Sequence, residues 1–374
     1  MDKLIVIGSD HFNTLWLVRS LGMSGFTPFV IIVSSKSRSF VVKSRFCKDF
    51  VITGSNQSML SILLERKIDE KSVIFTSGDS VAEFLDHNFD FLSDKYILHH
   101  CNHKQGELSY WMNKDKMLAK AAECGLTIPF TRTYSTSQQI DPSGLVFPCL
   151  IKPELSAEAS KDNFRICTNV AEFETAIEDI KNSCSRIVVQ EYIQSEYEYL
   201  VYGVSTDAEI CLPGGLHKIH TCTSNKNLGM TSYACLSSDI PSQLAHFDAI
   251  KDFIHGIGYK GLFSVEFMIT KDKAYFLEIN LRNDGTCYIT TLAGVNLPTI
   301  WAYSALGLDS SHLPRSFKRR YTYGMNEVNY LKYTFSLRHI FRCIKELFKV
   351  HAFSLIKLND MRPVLFKVIN SVLR

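Results

Sequence analysis

Residues 261–298 read GLFSVEFMITKDKAYFLEINLRNDGTCYITTLAGVNLP. Two runs in this stretch, Leu262–Ile269 and Ala274–Asn280, alternate with a period of two and are joined by the polar link Thr270–Lys273, which predicts a β-hairpin. On the first run Phe263, Val265, Phe267 and Ile269 share one side, and Ser264, Glu266 and Met268 the other. On the second, Tyr275, Leu277 and Ile279 share a side, opposite Phe276, Glu278 and Asn280. A turn centred on Asp272 sets Glu266 across from Glu278. Carboxylates facing each other on a sheet repel, and the apolar neighbours Met268 and Phe276 draw that side partly out of water. A compensating cation is therefore expected in preference to a solvated acidic face. Two carboxylates and the Asn280 amide oxygen are hard donors that suit Mg²⁺ held together with substrate phosphates. Arg282 and the flexible Asn283-Asp284-Gly285 follow at once.

Glu266 on one strand, then Glu278-Ile279-Asn280-Leu281-Arg282 on the next, resembles the magnesium-binding end of the ATP-grasp ligases, whose usual form is a carboxylate strand followed by E-x-N-x-R. Leu281 stands where that family usually has proline. The resemblance implies metal ligation by Glu266, Glu278 and Asn280, with Mn²⁺ an alternative to Mg²⁺, and a catalytic role for Arg282 in stabilising an acyl-phosphate intermediate.

With 374 residues and a formal net charge of +3, the chain has the length of two to three domains. No apolar run reaches the roughly 18 residues of a membrane-spanning helix. Met1-Asp2-Lys3 runs directly into the apolar Leu4–Ile7, unlike a signal peptide. Eleven cysteines, with no C-x-x-C pair, read as reduced thiols of a cytoplasmic protein. The clusters His99-His100-Cys101-Asn102-His103 and His217-x-x-His220-x-Cys222 lack zinc-site spacing. No nucleic-acid partner is expected.

Residues 1–112 alternate strand and helix. Strands are expected at Leu4–Ile7, Phe29–Val33, Phe50–Thr53 and Val73–Thr76, with helices at Thr14–Leu21 and Met59–Arg66. This order predicts a parallel sheet with ligands at the carboxyl ends of its strands. Gly8 stands alone, so no dinucleotide fingerprint is present. The pattern is similar to the Rossmann-like domain that precedes the ATP-grasp domain. By that resemblance Gly8, Ser9, Asp10 and Asp79 would face a carboxylate substrate; as residues they read equally well as turn and cap positions.

Over 113–189, expected as the first ATP-grasp subdomain, Asp115-Lys116 opens a helix that stops near Gly125. Lys152 ends the apolar run Val146–Pro153, where a lysine is costly to bury unless an anion meets it. The resemblance gives Lys116 and Lys152 to the ATP phosphates. The loop that should follow, Glu154–Lys161, contains no glycine, and Ser156, Ser160 and Lys161 would have to serve by side chain. Over 190–314, expected as the second subdomain, Glu191, Tyr192 and Ile193 match the adenine hinge. Glu198 matches the ribose-binding residue, with Glu196 its rival, and Lys218 could reach the γ-phosphate. A helix is expected from about Gln243 to Ile257.

Residues 315–374 form a basic helical extension outside the ATP-grasp core. From 332 onward nine Lys/Arg stand against two acidic residues. Leu337, Ile340, Phe341, Ile344, Leu347 and Phe348 make an apolar stripe with Arg338, Arg342, Lys345 and Lys349 opposite. Docking of this stripe on the body of the protein is favoured over contact with the inner face of an anionic membrane.

Together these features predict a mixed α/β and α+β chain, a parallel α/β domain followed by a two-part ATP-grasp fold. The activity implied is ATP- and Mg²⁺-dependent joining of a small-molecule or lipid-linked carboxylate to an amine such as an amino acid, by a protein that could act as a homodimer. The rival readings are carboxylase or kinase chemistry on the same fold, and a nucleotide-binding regulator without turnover.

Overall fold

A computed structural model describes residues 3–138, 140–153, 164–181, 184–221, 231–244, 247–327, 341 and 344–372. The glycine-free loop 154–161, including Lys161, lies outside these residues, as do Leu337 and Ile340.

The first five strands form a parallel sheet in the order Asp49–Thr53, Phe29–Val33, Leu4–Gly8, Ser72–Thr76, Tyr96–Ile97. The central strands are buried along their whole length, which is why they read as unbroken apolar runs rather than as alternations. Gly8 closes the first strand where space runs out. A Cβ there would sit 1.9 Å from Ser77 Oγ and 2.5 Å from Thr14 Oγ1. The next helix runs Phe12–Met23, longer at both ends than the apolar periodicity predicts; the His11 side chain caps its start by accepting from Asn13 N–H, and Ser24 N–H closes its end on Leu21 O and Gly22 O.

A four-stranded antiparallel sheet follows, ordered Thr131–Ser135, Arg186–Glu191, Cys149–Pro153, Arg165–Cys167. Cys149, Ile151, Ile187 and Val189 pack with Phe173 of the helix Val170–Ile180. The alternation of strands then turns Lys152 and Gln190 to the opposite face.

The large sheet runs Ala274–Asn280, Tyr259–Ile269, Tyr197–Ser205, Ile210–Thr221, Thr231–Ser237, Tyr321–Met325, Ala352–Phe353. The predicted hairpin lies at its edge, and Glu266 is indeed opposite Glu278. The route to that register differs from the alternation read above. Phe267 pairs with Phe276, so Leu277 is an extra residue, a β-bulge between Phe276 and Glu278. The bulge reverses the faces: Phe276 joins Phe267, Val265 and Ile279 in the core, while Glu278 and Asn280 are carried to the other side with Glu266. Phe276 therefore does not share the carboxylate face. The helix expected over 243–257 divides into a 3₁₀ turn, Ser242–Leu244, and the α-helix Asp248–Gly256.

The C-terminal segment is woven into the body. Strand Ala352–Phe353 pairs in parallel with Gly324–Met325. Trp16 Nε1 donates to Ser354 O at 2.7 Å. Glu327 accepts from the N–H groups of Ser354, Leu355 and Ile356. Arg19 and Asp360, both fully buried, form an ion pair at 2.8 Å, and Asp360 also accepts from Ser44 Oγ and Arg45 N–H. Segment 352–360 thus docks, but the described members of the predicted stripe do not. Phe341 and Phe348 are 73% and 89% exposed, and Ile344 and Leu347 are also exposed.

Candidate active site

The site lies where the small sheet, the hairpin and the parallel sheet meet. Glu266 and Glu278 project from adjacent strands of the hairpin, and Asn280 Nδ2 donates to Glu266 Oε1 at 3.4 Å and to Ser264 Oγ at 3.3 Å. Burial, with Glu278 the next cause, raises the Glu266 carboxyl to about 7; Asp284 and Glu198 push the same way and Lys218 opposes them. This is an arrangement of acids short of a cation. Among the described residues no group of three His, Cys, Asp or Glu side chains could hold a metal ion. The two glutamates and the Asn280 oxygen fit a hard divalent ion whose remaining ligands come from phosphate and water.

Lys152 comes to this place from the small sheet. Its Nζ donates to Gln190 Oε1 at 3.1 Å. Burial lowers its pKa to about 8, helped by Lys114 and opposed by Glu278. Lys114 Nζ lies 3.6 Å from Glu278 Oε2. Lys116, expected at the phosphates, has its ammonium over the Tyr110 ring at 5.6 Å, and Lys114 is the lysine of this helix that meets the hairpin. The reason is helical geometry. Asn113 caps the helix Lys114–Glu123, and residues two apart point about 200° from one another, so only one of the two lysines can face the hairpin.

Arg282 is gripped from both sides. Its Nε and Nη2 donate to Asp79 Oδ1 and Oδ2 at 2.6 and 2.8 Å, and Nη2 also donates to Asn280 Oδ1 at 2.9 Å. Asp79, expected to face substrate, is the carboxylate that aims this guanidinium. The Asn280 oxygen expected to bind metal accepts from Arg282 in the structure.

The remaining expected residues divide. Lys218 is paired with Glu198, joining the residues expected at the γ-phosphate and the ribose. Lys218, Glu266 and Asp284 line a cavity of about 340 Å³ with His11, Phe12 and Trp16. Glu191 Oε2 accepts from Phe130 N–H, and Tyr192 N–H donates to Pro148 O, so these hinge groups tie the small sheet together; Ile193 is buried beside them. Ser9 contributes its carbonyl to His11 N–H and Thr14 Oγ1. Asp10 Oδ1 accepts from Ser39 Oγ at 2.5 Å and Phe40 N–H at 2.9 Å. Both therefore act as turn residues here, as Gly8 does. Lys114, Gln190 and His11 have no counterpart in the sequence reading, and Asp284 stands there only within the flexible Asn283-Asp284-Gly285. Asp284, two residues past Arg282, carried the one available signal.

The family model described as "ATP-grasp in the biosynthetic pathway with Ter operon" matches residues 234–328, the span that holds the hairpin, Arg282 and Asp284. An N5-carboxyaminoimidazole synthetase structure from Staphylococcus aureus superposes with a TM-score of 0.66 at 14% identity, over 87% of this chain and 84% of that one. The fold is ATP-grasp. Among curated proteins, a D-alanine–D-alanine ligase of Fusobacterium nucleatum is 24% identical over 60% of this chain and 81% of its own length. A formate-dependent phosphoribosylglycinamide formyltransferase of Wolinella succinogenes is 24% identical over 39% of this chain and 37% of its own. The chain thus matches well under half the length of that formyltransferase.

Proposed function

We propose that the chain is an ADP-forming ligase that joins a carboxylate to an amine through an acyl phosphate. The observation carrying this reading is the half-buried Glu266–Glu278 pair, faced by Lys152 and Lys114 and flanked by an Arg282 already oriented by Asp79. Opposed acids and converging lysines are complementary to a metal–triphosphate group, which is alternately positive and negative along its length. Glu266, Glu278 and Asn280 would hold Mg²⁺, which when bound neutralises charge on the phosphates. Lys152, protonated below about pH 8, binds phosphate oxygens. The substrate carboxylate attacks the γ-phosphorus, ADP leaves, and an acyl phosphate remains. Arg282 lies beside the metal residues, where it stabilises the negative charge of that intermediate. The amine then attacks the acyl carbon, phosphate leaves and the amine proton passes to solvent. The D-alanine–D-alanine ligase named above joins a carboxylate to an amine, which supports this choice within the fold.

Phosphate release from Mg²⁺–ATP across pairs of carboxylates and amines tests the proposal. Release that needs both partners, and that Glu278→Gln abolishes, is the expected result. Equal release with the carboxylate alone, or undiminished turnover in Glu278→Gln, would refute it.

A further inference from the structure

A second cavity, about 560 Å³, opens at the carboxyl ends of strands Leu4–Gly8 and Phe29–Val33. Its floor is the serine-rich loop Ser34-Ser35-Lys36-Ser37-Arg38-Ser39, and its wall is the helix Arg362–Val372, which contributes Phe366, Lys367 and Asn370. Its lining holds three cations, Lys36, Arg38 and Lys367, and one carboxylate, Asp10, a net of +2. Asp10 is committed to the loop itself, through Ser39 Oγ and the Phe40 N–H. Ser34 Oγ accepts from Lys36 N–H, so the loop is braced at both ends and presents residues 35–38 between. Among the described residues the side chains of Lys36 and Arg38 make no hydrogen bond or ion pair, and both are exposed. Like charges held together around one concavity, at the strand ends where open α/β sheets take ligands, are complementary to an anion.

The cavity adjoins the proposed active site. Lys367 Nζ lies 4.1 Å from the Phe12 ring centre and 4.7 Å from that of Phe40. Phe12 lines the cavity that contains Glu266 and Lys218, and Phe40 lines this one. The Phe12 and Phe40 rings themselves pack together, their centres 5.6 Å apart, with Lys367 over both. We infer that this cleft binds a phosphate group carried by one of the two substrates, so that the phosphate end is held by Lys36, Arg38 and Lys367 while the reacting end enters beside Glu266. This deepens the ligase reading and rests on it for the identity of the ligand as a substrate. Arg38 supplies the planar fork that meets two phosphate oxygens. The phosphate could belong to a soluble ester or to a lipid headgroup, since Leu365, Val368 and Ile369 expose an apolar edge on the same helix.

Calorimetric titration of the full chain with inorganic pyrophosphate is the test, with the nucleotide site first filled by Mg²⁺ and a non-hydrolysable ATP analogue. Sedimentation with phosphatidic acid or phosphatidylcholine vesicles is run beside it. A single pyrophosphate site, weakened at least tenfold in Lys36→Gln/Arg38→Gln and retained in Lys152→Ala, supports the proposal with a soluble source. Binding to phosphatidic acid vesicles but not to phosphatidylcholine, lost in the same double variant, supports it with a lipid source. Both substitutions are on exposed side chains, and an unchanged melting temperature shows that the fold is kept. Wild type and double variant that treat both probes alike would overturn it. Turnover surviving in Glu278→Gln would sink the ligase reading and leave the pyrophosphate result standing.

Discussion

Replacing Glu266 by Gln should make the ligand-free protein more stable in alkaline solution and leave it unchanged in acid. The Glu266 carboxyl is raised from its ordinary 4.5 to about 7 by burial and by the facing Glu278. At about 1.4 kcal/mol for each tenfold change in acidity, the ionised form costs the folded state about 3 kcal/mol. The sign follows from proton counting. Between pH 4.5 and 7 the folded chain holds a proton on Glu266 that the unfolded chain has released, so stability falls as pH rises through this window and stays low above it. Glutamine is never ionised and keeps an oxygen for the Asn280 Nδ2 bond. The variant should therefore match wild type at pH 4.5 and exceed it at pH 8.5 by up to about 3 kcal/mol. Urea unfolding followed by tryptophan fluorescence at the two pH values measures the difference. Millimolar Mg²⁺ with ATP should close the gap by stabilising wild type selectively. Equal stabilisation at both pH values would mean that the substitution acts through packing. Destabilisation at pH 8.5 would mean that Glu266 is already neutralised by a protein cation, and the argument for a metal there fails.

Lys152→Ala should weaken ATP far more than adenosine. In wild type the ATP affinity should fall as pH rises through about 8, where Lys152 loses its proton, and the variant should lack that dependence; equal losses for both ligands would place Lys152 away from the phosphates. Asp79→Asn removes one of the two carboxylate oxygens that hold Arg282, and turnover should fall tenfold or more with little change in the KM for ATP. A changed KM with unchanged turnover would assign Asp79 to nucleotide binding.

How far the sequence was readable follows from the range of each signal. The hairpin was legible because alternation over seven or eight residues is local, and burial on one face repeats at every second position. The bulge at Leu277 was not, because an inserted residue leaves the chain of apolar and polar letters looking regular on either side. Glu266 still faced Glu278 because a turn centred on Asp272 and a four-residue link followed by a bulge bring the same two residues together. Lys114 and Lys116 differ only in helical phase, which depends on the cap at Asn113. The clasp of Asp79 on Arg282 joins residues 203 apart in sequence, and no local pattern encodes such a partner. Lys152 was legible for the opposite reason, since a charge inside an apolar run is conspicuous without knowledge of its surroundings.

The ion pair between Arg19 and Asp360 carries a consequence for synthesis on the ribosome. Arg19 belongs to the first helix, yet its carboxylate partner is 341 residues further along. An unpaired charge in that interior costs on the order of 3–5 kcal/mol. At roughly 5–20 residues per second of translation, the first helix would wait tens of seconds for the carboxylate that completes its surroundings. The parallel sheet is therefore expected to emerge early but to remain loosely packed around Arg19, acquiring its final rigidity when Asp360 arrives. A nascent chain halted before residue 360 should be cut by protease within the first helix, and one released beyond it should resist.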